Sequence, residues 1–127
     1  MNDIKNENVK IRPANSKDYL MLAKYRWDYL ANNKNYDDDF LNTFISYLKN
    51  ETELNRLKIF IAETNKIIIG NAYLILIPKT PKPNSKYNNI GYITNAYVKK
   101  EYRNIGIGTK IINELTIYSK KKIKLNY

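Results

Sequence analysis

"YITNAYVKKEYRNIGIGTKII", Tyr92 to Ile112, is the stretch on which the reading of this chain turns. Its first third is rich in aromatic and β-branched residues, as a strand is. Its end opens a run that places Ile111, Ile112, Leu115 and Tyr118 on one helical face. Between the two lie Gly106 and Gly108, in a chain with only 4 glycines. A strand, a glycine-bearing turn and a helix form an anion-binding arrangement. The first N–H groups of a helix lack intrahelical partners and carry partial positive charge, and bare backbone lets a phosphate approach them. Two familiar phosphate loops do not fit. A Walker loop needs a glycine five residues before Gly108, where Arg103 stands, and a dinucleotide fingerprint needs a third glycine where Ile111 stands. A tight strand-to-helix connection that binds nothing is the competing reading.

Working outward, Val9 to Arg12 reads as a strand closed by Pro13, and Ser16 as the N-cap of a helix with Asp18 in its first turn. Leu20, Ala23, Trp27 and Leu30 share that helix's apolar face. Asp37 to Asp39 open a second helix, where acidic residues suit the positive end of the dipole, and Phe40, Leu41, Phe44, Ile45 and Leu48 make its stripe. Leu57 to Glu63 and Ile67 to Ile77 read as a hairpin about a short polar turn. A proline-stiffened loop follows from Pro78, then a strand from Ile90 to Val98, a helix from Thr109 to Lys120, and the start of a strand from Ile123 to Tyr127. The order strand, helix, helix, strand, strand, strand, helix, strand predicts an α/β (α+β) fold. Helices pack on a mixed, mostly antiparallel sheet within a single domain over residues 1–127.

Composition narrows the chemistry. The 127 residues contain no cysteine and no histidine, which removes disulfides, thiolate nucleophiles, imidazole bases and most zinc sites. No acidic calcium-type loop appears, so no metal is expected. No apolar run approaches the roughly 20 residues that cross a bilayer, and the polar N-terminus carries no signal core, so a cytoplasmic protein without a membrane partner is expected. The net charge of +10 invites a nucleic-acid reading, but the cations are mostly lysine. Lysine, asparagine, isoleucine and tyrosine are inflated together, as AT-rich codons would make them. Only Arg12, Arg26, Arg56 and Arg103 are arginine, so nucleic acid is not the expected partner.

The pattern Arg103-x-x-Gly106-x-Gly108 resembles the acyl-CoA pyrophosphate loop of the GNAT (GCN5-related N-acetyltransferase) superfamily, R/Q-x-x-G-x-G/A. Tyr97-Val98 at the strand end and Glu101-Tyr102-Arg103 also match. Lys100 departs from the pattern, standing where a proline often precedes that Glu. "IRPANSKDY" and "IFIAETNKIIIGNAYL" look like the family's first strand and its second and third strands, so the resemblance runs from about Val9. It implies a fourth strand splayed from the fifth. The pantetheine arm of acetyl-CoA would pair near Ala96 and Val98, past Tyr97. The pyrophosphate would lie over the amides of Arg103, Asn104, Ile105, Gly106, Ile107 and Gly108, with the Thr109 hydroxyl at the helix start and Lys110 nearby.

The activity implied is acetyl transfer from acetyl-CoA to a primary amine of a small molecule or peptide. The carbonyl oxygen would meet a backbone N–H of Ala96 or a neighbour. Thr94 and Asn95 take the catalytic place on the strand where many relatives carry an acid. Asparagine cannot be a base, though it can position water or the amine. Trp27 and Tyr29, with Tyr36 and Asp37, are the expected walls for the acceptor, and Lys79, Lys82 and Lys86 would repel a polycation. The family continues by a helix and strands past Tyr127, so the chain reads as short at the fifth strand. Its open sheet edge favours a homodimer. The alternative is a catalytically impaired acyl-CoA-binding or interaction module.

Overall fold

The computed structural model describes residues 8–84, 89–122 and 124–125. Strand β1 is Lys10–Pro13, helix α1 Tyr19–Ala31, helix α2 Asp38–Glu53, β2 Leu57–Thr64, β3 Ile67–Pro78, β4 Asn89–Val98, helix α3 Ile107–Lys122 and β5 Lys124–Leu125. The five strands form one sheet in the order β1-β2-β3-β4-β5. The first three pairings are antiparallel, and β5 joins β4 in parallel. The mixed, mostly antiparallel sheet expected from the sequence is therefore present. Of the final segment, Ile123, Asn126 and Tyr127 lie outside the described residues, as does Lys86.

Alternation along β2 and β3 divides the core. Phe60, Ala62, Ile69, Ala72 and Leu74 pack under Ile107, Ile111 and Leu115 of α3. Ile59, Ile61, Ile68 and Tyr73 face α1 and α2, where they meet Leu22, Tyr25 and Leu48. Each fully buried aliphatic side chain contributes about 1.5–3 kcal/mol of transfer free energy. The β2–β3 turn has Asn65 and Lys66 both at positive φ, 50° and 64°, the two-residue geometry whose twist matches the strands it joins.

Three local expectations are corrected. The capping residue is Asn15, not Ser16, and it caps a 3₁₀ turn, Ser16–Asp18, that leads into α1. Its side chain accepts from Lys17 N at 3.0 Å, while Asp18 reaches back to Asn15 N at 2.8 Å. The buried face of α1 is Leu22, Ala23 and Tyr25, with Leu20 and Leu30 left 47% and 58% exposed. Tyr19 to Ala23 is a continuous apolar run, so periodicity there does not choose a face, and packing against the sheet does. Helix α3 begins at Ile107 rather than Thr109, which brings Gly108 inside its first turn.

Arg12 ties β1 to β2 and to the start of α1. It donates to both oxygens of Asp18 at 2.9 and 3.0 Å and to both oxygens of Glu63 at 3.3 and 3.1 Å. Burial pushes the Asp18 carboxyl up, but the hydrogen bonds from Arg12 and Asn15 N outweigh it and hold it below its ordinary value. The Arg12 hydrogen bonds hold Glu63 low in the same way. A depressed carboxylate stabilises fully above its unfolded value and loses that contribution as pH falls through the folded one. Stability should therefore hold from neutrality to about pH 4 and fall steeply below it. The Asp18→Asn variant should lose about 1–3 kcal/mol at neutral pH and show a flatter acid limb, read by urea unfolding across a pH series.

Candidate active site

The centre of the site is an irregularity in β4. Tyr73 pairs with Thr94, but Asn71 pairs with Tyr97, so Asn95 and Ala96 together face the single residue Ala72. This is a β-bulge, a device that re-aims side chains and frees backbone groups from the ladder. Asn95 takes φ 51°, a left-handed conformation that asparagine tolerates better than most residues. Its carbonyl accepts Asn71 Nδ2 at 2.8 Å. Asn71 is 2% exposed, so its amide is a buried polar group satisfied at the bulge. On the other edge of β4, β5 reaches only Ile90 and Gly91. From Tyr92 onward that edge has no strand partner among the described residues.

After β4 the chain makes a 3₁₀ turn at Lys100–Tyr102, then passes through Asn104 at φ 67° and Gly106 at φ 85° into α3. Only glycine enters the Gly106 conformation without steric cost. Ile107 is fully buried and anchors the helix start, and Lys110 N donates to Gly106 O at 3.1 Å. Gly108 differs from Gly106. A Cβ there would meet only Val98 Cγ2, at an ordinary 3.6 Å. Neither packing nor conformation calls for glycine at 108, which leaves a bare backbone at a helix N-terminus.

Beside it lies a cavity of about 420 Å³ lined by Ala96, Tyr97, Val98, Tyr102, Arg103, Asn104, Gly106, Ile107, Gly108 and Thr109. Every residue assigned to acetyl-CoA from the sequence lines it, except Ile105, which is 39% exposed. Arg103 is folded back at its edge, donating Nε–H to Val98 O at 2.7 Å with its guanidinium 5.8 Å from the Tyr97 ring centre.

A second cavity, also about 420 Å³, opens on the opposite side of the bulge between α1, α2 and the sheet. It is lined by Arg26, Phe40, Thr43, Phe44, Tyr47, Tyr73, Ile75, Thr94 and Asn95. Arg26 Nη1 donates to Asn95 Oδ1 at 3.2 Å. Burial pushes the Tyr73 phenol up, and its hydroxyl lies near Asn95 without completing a hydrogen bond. Among the described residues no carboxylate lines this cavity.

The Acetyltransferase (GNAT) family profile matches residues 19–127. The chain belongs to the GNAT family. Among solved structures it is similar to a predicted acetyltransferase with acetyl-CoA from Clostridium acetobutylicum, at 30% identity and TM-score 0.74, over 94% of this chain and 80% of that one. A GCN5-related N-acetyltransferase from Ralstonia eutropha JMP134 shares the fold at 20% identity and TM-score 0.71, over 94% and 83% of the two chains. So does a ribosomal-protein-alanine N-acetyltransferase from Brucella melitensis, at 20% identity and TM-score 0.65, over 93% and 79%. No curated protein matches the chain. Among the described residues no group of acidic side chains is placed to hold a metal ion, and no helix is long and apolar enough to cross a membrane.

The remaining sequence-derived residues of this GNAT chain are distributed unevenly. Thr94 and Asn95 face the second cavity. Trp27 is not among the residues lining either cavity. Its indole N–H donates to Asn33 Oδ1 at 3.2 Å and its ring packs 5.4 Å from Phe40, so it braces the corner between α1 and α2. Tyr29 is 59% exposed and stands edge-on to Tyr97, beside a separate depression of about 630 Å³ that also takes in Asp28, Lys99 and Arg103. Tyr36 bonds Asp28 at 3.5 Å, and Asp37 caps α2 through Asp39 N at 2.8 Å. Lys79 and Lys82 line none of the three cavities. Arg26, Tyr47, Tyr73 and Asn71 were not anticipated. Arg26 and Asn95 are 69 residues apart, and no spacing in the sequence joins them.

Proposed function

We propose that this chain is an N-acetyltransferase that moves the acetyl group of acetyl-CoA to a primary amine. One observation carries the reading: the linings of the two cavities are consecutive along β4 at the bulge. Ala96, Tyr97 and Val98 line the one with the bare helix N-terminus, and Thr94 and Asn95 line the other. A cofactor arm laid along the unpartnered edge of β4 would end where an acceptor in the second cavity begins.

The residues fit acetyl-CoA. The glycine-bared first turn of α3, with Thr109, offers N–H and O–H donors at the positive end of a helix dipole. Arg103 adds a guanidinium at the cavity's edge. When bound, acetyl-CoA supplies the thioester carbonyl that the amine attacks. The bulge at Asn95 and Ala96 holds backbone N–H groups outside the regular ladder, where one can donate to the carbonyl oxygen as negative charge develops there. Asn95 orients the amine or a water and cannot take its proton.

Calorimetry tests the reading first. Acetyl-CoA should bind one per chain, and at about 100 times its Kd it should stabilise the fold by about 2.7 kcal/mol, seen as a raised melting temperature. Free thiol release across an amine panel then reads turnover. The absence of a carboxylate from the second cavity favours one rival, an acyl-CoA-binding module with impaired catalysis. Binding without thiol release above background would establish that rival, and no binding at all would remove both. The reading also takes residues 1–127 as one domain whose sheet, left open beyond β5, accepts a second copy at that edge, and light scattering on the same sample gives its mass.

A further inference from the structure

Two of the four arginines are neutralised within the fold. Arg12 bonds Asp18 and Glu63, and Arg56 bonds Glu51 through two hydrogen bonds at 3.1 and 2.9 Å. The other two have no anionic partner among the described residues, and each borders one cavity. Arg103 borders the one assigned to a pyrophosphate. Arg26 borders the acceptor cavity, half-buried, with a single hydrogen bond to the neutral amide oxygen of Asn95. A guanidinium drawn partly out of water without an anion is unfavourable unless a ligand supplies one.

The rest of the cavity describes that ligand's body. Phe40 stacks on Phe44 at 5.8 Å, Phe44 meets Tyr47 at 5.7 Å and Tyr73 at 6.4 Å, so the walls are a continuous aromatic surface. The Tyr73 hydroxyl is buried beside Asn95 without a completed hydrogen bond, a further polar point on the wall. One cation, no anion and an aromatic wall suit a monoanion with an apolar body, and repel polyamines and aminoglycosides.

Resting on the N-acetyltransferase reading, we propose that the acceptor is a free α-amino acid with an aromatic or branched aliphatic side chain, its carboxylate held by Arg26. The placement of the amine follows. Arg26 touches Asn95, so a carboxylate on Arg26 lies one contact from the bulge. An α-amine is attached to the carbon next to that carboxylate and falls at the bulge. A peptide N-terminus has an amide in place of the carboxylate and leaves Arg26 unpaired. The Arg26 charge also disfavours the protonated form of a neighbouring amine, which helps it arrive neutral in a cavity without a base. The ammonium gives its first proton to solvent. The nitrogen lone pair forms the N–C bond to the acetyl carbon, the C–S bond breaks, and sulfur leaves with the electron pair. The second proton, lost from nitrogen, ends on that thiolate through water.

The test compares thiol release with L-phenylalanine, L-leucine, L-phenylalaninamide and spermidine. It adds calorimetry of L-phenylalanine into protein saturated with CoA. The two amino acids should be turned over with kcat/KM at least about 30-fold above L-phenylalaninamide. Arg26→Gln should abolish that ratio by lowering the amino-acid values alone, and Arg26→Lys should restore part of it. Acetyl-CoA titration of both variants controls for folding, since Arg26 does not line the other cavity. Turnover of the amide or of spermidine equal to that of L-phenylalanine overturns the proposal while leaving an N-acetyltransferase. An equal loss on all amines in Arg26→Gln overturns it as well. Arg26-dependent binding of L-phenylalanine without any thiol release supports the site and removes the acetyltransferase reading. The absence of both binding and turnover of L-phenylalanine overturns the proposal.

Discussion

Replacing Gly108 with aspartate should leave the protein folded and weaken acetyl-CoA binding on the order of 1,000-fold, or about 4 kcal/mol. The two halves of this expectation have separate causes. The fold tolerates the change because a Cβ at 108 meets only Val98 Cγ2 at 3.6 Å, and because a carboxylate in the first turn of a helix interacts favourably with the dipole. Binding should not tolerate it, because the same carboxylate would occupy the space and the electrostatic position proposed for the pyrophosphate. Thermal melting should change by no more than a few degrees, while calorimetry loses the signal. At Gly106 the outcome differs: φ 85° makes any side chain strained, so Gly106→Ala should lower stability and affinity together. Full affinity in a folded Gly108→Asp protein would falsify the placement of the cofactor on this helix.

The largest stability loss outside the aliphatic core is expected at Asn71. Asn71→Leu nearly conserves volume but removes the 2.8 Å hydrogen bond to the Asn95 carbonyl. That carbonyl is displaced from the ladder by the bulge, so it has no other strand to pair with. The residue that carries it also sits at φ 51°. Loss of the donor together with an unsupported strained residue should cost about 2–4 kcal/mol. For a domain of this size that is a fall of roughly 10 °C in melting temperature. Thiol release should fall as well, because a bulge relaxed into a regular ladder turns Asn95 and Ala96 to the wrong faces. An unchanged melting temperature would show that the bulge is held by something other than Asn71. Asn95→Gly separates the terms, since it relieves the backbone strain and keeps the carbonyl.

Much of this site was legible in one local stretch. Gly106, Gly108 and the residues around them announce a bared helix start, because backbone freedom and helix-end polarity depend on near neighbours. The order of strands and helices was legible for the same reason, through period-two and helical apolar spacing. The second cavity was not. Phe40 and Phe44 have the spacing of an ordinary buried stripe, and Tyr73 sits in the continuous apolar run Ala72 to Pro78. Trp27 and Tyr29 carry the side chains a binding wall often uses, yet one braces a helix corner and the other leans on Tyr97 at the surface.

By itself the sequence determined the element order, the family and the glycine-bared start of α3. Tertiary structure alone decided the face of α1, the register slip opposite Ala72, and the meeting of Arg26 with Asn95. The reason is physical. Turns, caps and periodicity are set by interactions a few residues long. A bulge is set by which strand lies alongside and which side chain, here Asn71, satisfies the carbonyl it releases. Until β3 pairs with β4, nothing in "ITNAYV" distinguishes the residues that line one cavity from those that line the other.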